Sequence, residues 1–145
     1  MKQKNFWLKL IGVALLLHVA LIALSIIEVA IYSYMVSPGH DKEFYSEHAN
    51  QSGPWVSAIF GSLFMFLLVR RFIKRFSQQH LAYAIWLPVI YITIDFILLL
   101  VSGYEFKDLN SQFVLAKAAK VIAVLLAYFI YSTGNHQNIK SNTFI

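Results

Sequence analysis

Four ionisable side chains, Glu28, Asp95, Lys117 and Lys120, stand inside stretches of sequence that are otherwise apolar. A charge at the centre of a membrane-spanning helix costs roughly 2.5–3.5 kcal/mol on insertion scales, so such residues face a protein interior and mark a functional site or an ion pair. Their types set the chemistry. Carboxylates held away from water exchange protons readily, and an ammonium on a flexible stem suits anionic groups.

Helical phase gathers these residues. Positions three, four, seven or eleven apart share a helix face. His18, Ser25, Glu28 and Tyr32 form one polar stripe, Pro88, Tyr91, Asp95 and Ser102 a second, and Lys117, Lys120, Tyr128 and Tyr131 a third. Counting about 1.5 Å per residue from the nearer helix end puts all four charges about 8–12 Å below one membrane surface, as a single layer. The expected ligand-binding set is Glu28, Asp95, Lys117, Lys120, Tyr32 and Tyr91. The competing reading is internal: two carboxylates and two ammonium groups cancel, and serve as ion pairs that fix helix register, with the lysines free to snorkel toward the interface.

A second group lies in the polar segment 37–53, where His40, Asp41, Glu43, Glu47 and His48 crowd together. Imidazole and carboxylate suit zinc or a similar divalent ion, and a short helix would bring His40, Glu43 and Glu47 to one face, with His48 beside them. The spacing matches no H-E-x-x-H or other established metal motif, and a solvated polar loop is the stronger explanation of it. Folded over the bundle, the same segment would form a lid above the charge layer.

The elements that must position these residues are four apolar helices. Of 145 residues 59% are hydrophobic and 13% charged, against about 25% charged in soluble domains, which argues for a membrane fold. The stretches run over about 6–36, 54–76, 81–103 and 112–132, each near or above the ~20 residues a span needs. The first begins like a signal peptide but is too long for one. Pro54 fits the first turn of the second helix, where its missing N–H costs nothing, and Pro88 is a kink inside the third. In the second helix Ser57, Ala58, Gly61 and Ser62 form a small-residue stripe that lets neighbouring backbones approach. The expected fold is all-α: an antiparallel up-down-up-down four-helix transmembrane bundle in a single domain, with an outer loop at 37–53.

Lys and Arg set the orientation. Lys2, Lys4, Lys9, Arg70, Arg71, Lys74, Arg75 and Lys140 fall on one side, and only Lys42 and Lys107 on the other. The positive-inside rule then puts both ends and the middle loop in the cytoplasm, and the expected location is the cytoplasmic (inner) membrane. The net charge of +5 collects at membrane boundaries without a nucleic-acid module, so anionic lipid headgroups at Arg70, Arg71, Lys74 and Arg75 are the expected partners. With 0 Cys, thiolate chemistry and thiolate metal sites are excluded. No nucleophile elbow, phosphate loop, dinucleotide fingerprint or triad-like set occurs, and no cofactor is specified.

Three functions follow, in descending order. One is a protein that binds or translocates a small polar or ionic ligand in an outward-facing polar pocket. The next is an accessory subunit of a larger membrane complex. The last is a membrane enzyme using the His40 to His48 segment. The short chain makes a complete transport path from one copy difficult, which points to a homo-oligomer or a larger complex.

Overall fold

The computed structural model describes residues 3–75, 80–101, 103 and 111–141. Its elements are α1 (Gln3–Ile31), which continues through a π-helical stretch at Tyr32–Val36, α2 (Lys42–Arg75), α3 (His80–Val101) and α4 (Ser111–Ser141). No strand occurs among the described residues. Lys2, Ser102 and residues 104–110, with Lys107, lie outside them.

Four helices are long and apolar enough to cross a membrane. Only 22% to 28% of the residues in their most apolar stretches are buried within the protein. Many of the others face outward: Leu16, Ile26, Ile59 and Phe129 are 63% to 68% exposed, which is tolerable in hydrocarbon and not in water. Lys117 and Lys120 do not interrupt the fourth helix, which runs unbroken through both.

Contacts between helices fix their relative directions. Phe6 meets Tyr83, Trp7 meets Trp86 and His18 meets Asp95, so α1 and α3 run the same way. Ser57 meets Lys120 and Phe66 meets Tyr131, so α2 and α4 also run together. Glu28 meeting Ser52, and Asp95 meeting Lys117, set the two pairs in opposite directions. The most extensive packing joins α2 to α4, which are not consecutive in the chain. One half of the bundle is an apolar core built at helical spacing from Leu10, Ala14 and Leu17 of α1, Met65 and Val69 of α2, Leu87 of α3, and Val124 and Ala127 of α4. Glu28, Asp95, Lys117 and Lys120 occupy the other half.

The second helix departs most from expectation. It begins at Lys42, so most of the expected outer loop at 37–53 is helix, and Pro54 stands inside the helix rather than in its first turn. The start is locally specified. Pro38 and Gly39, the latter at φ +88°, break α1 at a position where the left-handed backbone favours glycine. Asp41 Oδ1 then accepts the Phe44 backbone N–H at 2.9 Å, an N-cap, and Glu43 lies in the first turn, complementing the helix dipole. Tyr45 Oη donates to the Ser37 carbonyl at 2.9 Å and accepts the His40 N–H at 3.2 Å, tying the turn down. At 34 residues α2 is about 51 Å long and outruns a ~30 Å hydrocarbon core, so its polar first three turns stand beyond the apolar span.

Candidate functional site

Asp95, Lys117, Lys120 and Tyr91 come together in the interior, joined by His18 and Ser57. Asp95 forms an ion pair with Lys117 through Oδ2, and its Oδ1 faces His18 Nε2 at 3.3 Å. His18 Nδ1 lies 2.8 Å from the Ala14 carbonyl, a contact only an N–H can make, which leaves Nε2 aimed at the carboxylate. The imidazole stacks on Tyr91, with ring centroids 4.1 Å apart. Lys120 Nζ donates to Ser57 Oγ at 2.6 Å and to Tyr91 Oη at 3.1 Å. Both ammonium groups also lie against the Tyr91 ring, at 5.6 Å for Lys117 and 4.7 Å for Lys120, where the π-face attracts a desolvated cation.

The lysines are not equivalent. Lys117 has a carboxylate. Lys120 is only 1% exposed and has no carboxylate partner among the described residues; its ammonium is held by two neutral hydroxyls. The cluster of Asp95, Lys117 and Lys120 therefore carries an excess positive charge at Lys120, in a setting where an uncompensated ion costs several kcal/mol.

Helix α2 makes room for that side chain. A Cβ at Gly61 would run into Cε of Lys120, so glycine at this position lets the lysine stem pass between α2 and α4. Gly61→Ala is expected to destabilise the bundle by about 1–3 kcal/mol, the usual effect of overpacking. Adding Lys120→Ala should cancel most of that loss, and thermal unfolding of the two single variants and the double variant in detergent micelles checks it. Losses that simply add would show that Gly61 and Lys120 do not compete for space.

The remaining two residues of the expected ligand set, Glu28 and Tyr32, form a separate cluster toward the C-terminal end of α1. Glu28 Oε1 pairs with His48 Nε2 at 2.8 Å, and its Oε2 accepts the Ser52 hydroxyl at 2.8 Å. Tyr32 stacks on the His48 ring at 3.5 Å between centroids and 5° between planes. The single charge layer thus resolves into two levels. Ten residues of α1 separate His18 from Glu28, about 15 Å along the axis. The early start of α2 is the cause, because its extension stands alongside the C-terminal end of α1 and supplies Glu28 with partners of its own.

The same contacts dissolve the expected metal set. Among the described residues no group of three or more His, Asp or Glu is arranged to hold a metal ion. His48 is turned to Glu28, His40 stacks on Phe44 at 4.1 Å, and Glu47 accepts from Gln51 at 3.3 Å, while Glu43 lies exposed in the first turn of α2. The cluster acts instead as a clasp between α1 and the α2 extension. Hydrogen bonds to a charged group contribute about 1.5–3 kcal/mol each, less where solvent reaches them, and the Glu28 side chain is 32% exposed. Glu28→Ala is expected to speed amide exchange over 42–53 roughly tenfold, about 1.4 kcal/mol, while the 65–73 core of α2 is unchanged. Hydrogen exchange read by mass spectrometry checks it, and unchanged exchange in 42–53 would remove the clasp.

Between α1, α2 and α3 lies a cavity of about 470 Å³. Its polar floor is His18, Ser57, Tyr91 and Asp95, and its apolar walls include Leu21 and Val29. Ile22 and Ile26 also line it and are 55% and 64% exposed, so the mouth opens sideways, toward the surface that meets lipid. Ala49 of the α2 extension lines the cavity as well. Lys120 stands one hydrogen bond behind the wall, through Ser57 and Tyr91. The roles of His18 and Ser57 are the part of the site the sequence reading missed: His18 shares the α1 stripe but is a common interior residue, and Ser57 reads as a packing residue.

Comparison of the chain with protein-family models, with curated proteins and with solved structures finds no match to any of them.

Proposed function

We propose that this is a small protein of the cytoplasmic membrane, both ends cytoplasmic, that binds a small polar or ionic ligand in the cavity between α1, α2 and α3, as a binding protein or as one step of translocation. Lys120 carries the reading. An ammonium 1% exposed, lacking a carboxylate among the described residues and bonded to two residues of the cavity floor, is poorly explained as a structural ion pair. It supports a ligand that brings a negative charge or a strong hydrogen-bond acceptor to Ser57 and Tyr91. The apolar walls suit a ligand whose remaining surface is hydrophobic, consistent with pockets that are mostly apolar with few convergent polar groups. The positive-inside distribution of Lys and Arg supports the orientation, which turns the charged half outward.

Native mass spectrometry of the full chain extracted in a mild detergent tests the proposal. The wild type is expected to carry a small extra mass that Lys120→Met lacks. A bare chain in both would overturn the proposal, and a co-purifying foreign subunit would replace it with the accessory-subunit function.

A further inference from the structure

The basic quartet at the end of α2 is divided by helical phase into two pairs, each four residues apart. Arg70 and Lys74 turn toward α4 and lie over the Tyr131 ring, at 5.1 and 5.9 Å from its centroid. Arg71 and Arg75 turn the other way, toward α1. With Lys9 they line a recess of about 400 Å³ that also includes Gly12 and Phe72. A second recess, about 300 Å³, continues along the seam of α1 and α2 past Ala20, Phe64 and Leu67. The two share Val13, Leu16 and Arg71, and together make one groove, cationic at the bundle end and apolar toward the middle. Among the described residues no carboxylate lines it.

The dimensions match half of a lipid. From Lys9 to Ala20 is eleven residues, about 16 Å along α1, close to the depth of one leaflet of a ~30 Å hydrocarbon core. Gly12 leaves space in the cationic recess, since a Cβ there would meet nothing within 4 Å. We propose that this groove is a specific site for an anionic phospholipid of the leaflet at the basic end, its phosphate held by Lys9, Arg71 and Arg75 and one acyl chain lying along Val13, Leu16 and Phe64. Charge complementarity selects the headgroup and the apolar continuation selects a lipid over a free anion. Basic pockets between membrane helices are suited to such headgroups. The site is independent of the cavity near Lys120, which opens between other faces and at the other end of the bundle.

The test is native mass spectrometry of the full chain released from nanodiscs containing equal phosphatidylglycerol and phosphatidylcholine. The wild type is expected to retain phosphatidylglycerol over phosphatidylcholine by roughly tenfold or more, given three cations near the headgroup. Arg71→Gln with Arg75→Gln should abolish the preference, whereas Arg70→Gln with Lys74→Gln, which removes the same charge from the other face, should keep it. Gly12→Leu should lose retained lipid with every cation in place. Equal loss in the two charge variants would reduce the effect to unspecific attraction and overturn the site. So would a wild type without preference, retention unchanged in Gly12→Leu, or displacement of the lipid by inorganic phosphate alone.

Discussion

Asp95→Asn is expected to lower the stability of the folded bundle by about 3–5 kcal/mol, the largest effect of any single substitution in the charged half. The amide keeps the shape of the carboxylate, so the loss comes from charge. Lys117 would face a neutral group, and the buried cluster would hold two ammonium groups with no carboxylate among its members. The Lys117 and Asp95 side chains are only 14% and 18% exposed, so water can do little to rescue the stranded ammonium groups. Breaking a buried pair costs more than replacing both members, because replacement removes the desolvation penalty as well as the attraction. Lys117→Met added to Asp95→Asn should therefore recover part of the loss, giving a coupling energy of about 0.5–3 kcal/mol across the cycle. Equilibrium unfolding in mixed micelles measures all four proteins. A single-variant loss below about 1 kcal/mol would mean that the pair is solvated or exchanges with another partner, and that the charged half is looser than the distances imply.

The helices were legible because lipid imposes a crude rule, a run of some twenty apolar residues, and that rule holds at Lys117 and Lys120 since two interior charges are tolerated when they are paired or bonded. It fails beyond the membrane. The α2 extension is polar and carries no hydropathy signal, yet Asp41 three residues ahead of Phe44, with Glu43 between them, is the N-cap arrangement that starts the helix. Reading that cap would have moved the helix start to Lys42 and shown that Glu28 has local partners. Helical phase placed Tyr91, Asp95, Lys117 and Lys120 together but could not assign depth, because depth depends on where the neighbouring helix begins. It also could not distinguish Ser57 from Ala58, since accepting a bond from a lysine 63 positions away leaves no local trace. The basic quartet shows the converse: spacing alone divides Arg70 and Lys74 from Arg71 and Arg75, and only the packing of α1 and α4 on either side of α2 gives the division a meaning.

Lys120→Met is expected to leave the protein at least as stable as the wild type while removing what it binds. Methionine is unbranched and flexible, so it fits the passage beside Gly61 that the lysine stem uses. Removing the ammonium leaves Ser57 Oγ and Tyr91 Oη without that donor, at a cost of about 1–3 kcal/mol for each hydroxyl that stays unsatisfied. Each can still donate and accept, and both line a cavity with room for water, so the lower end applies. Against this stands the relief of desolvating an ammonium with no carboxylate of its own, on the order of several kcal/mol. The second quantity exceeds the first, and thermal unfolding should show a midpoint equal to or above that of the wild type. A residue that costs stability where it stands has to be retained for another reason, and here the reason proposed is the ligand. Stability and binding should consequently part company at this position, unlike at Asp95, where both fall together. A Lys120→Met protein that melts well below the wild type, and still carries the same small mass, would make the lysine a structural strut and end its role in recognition.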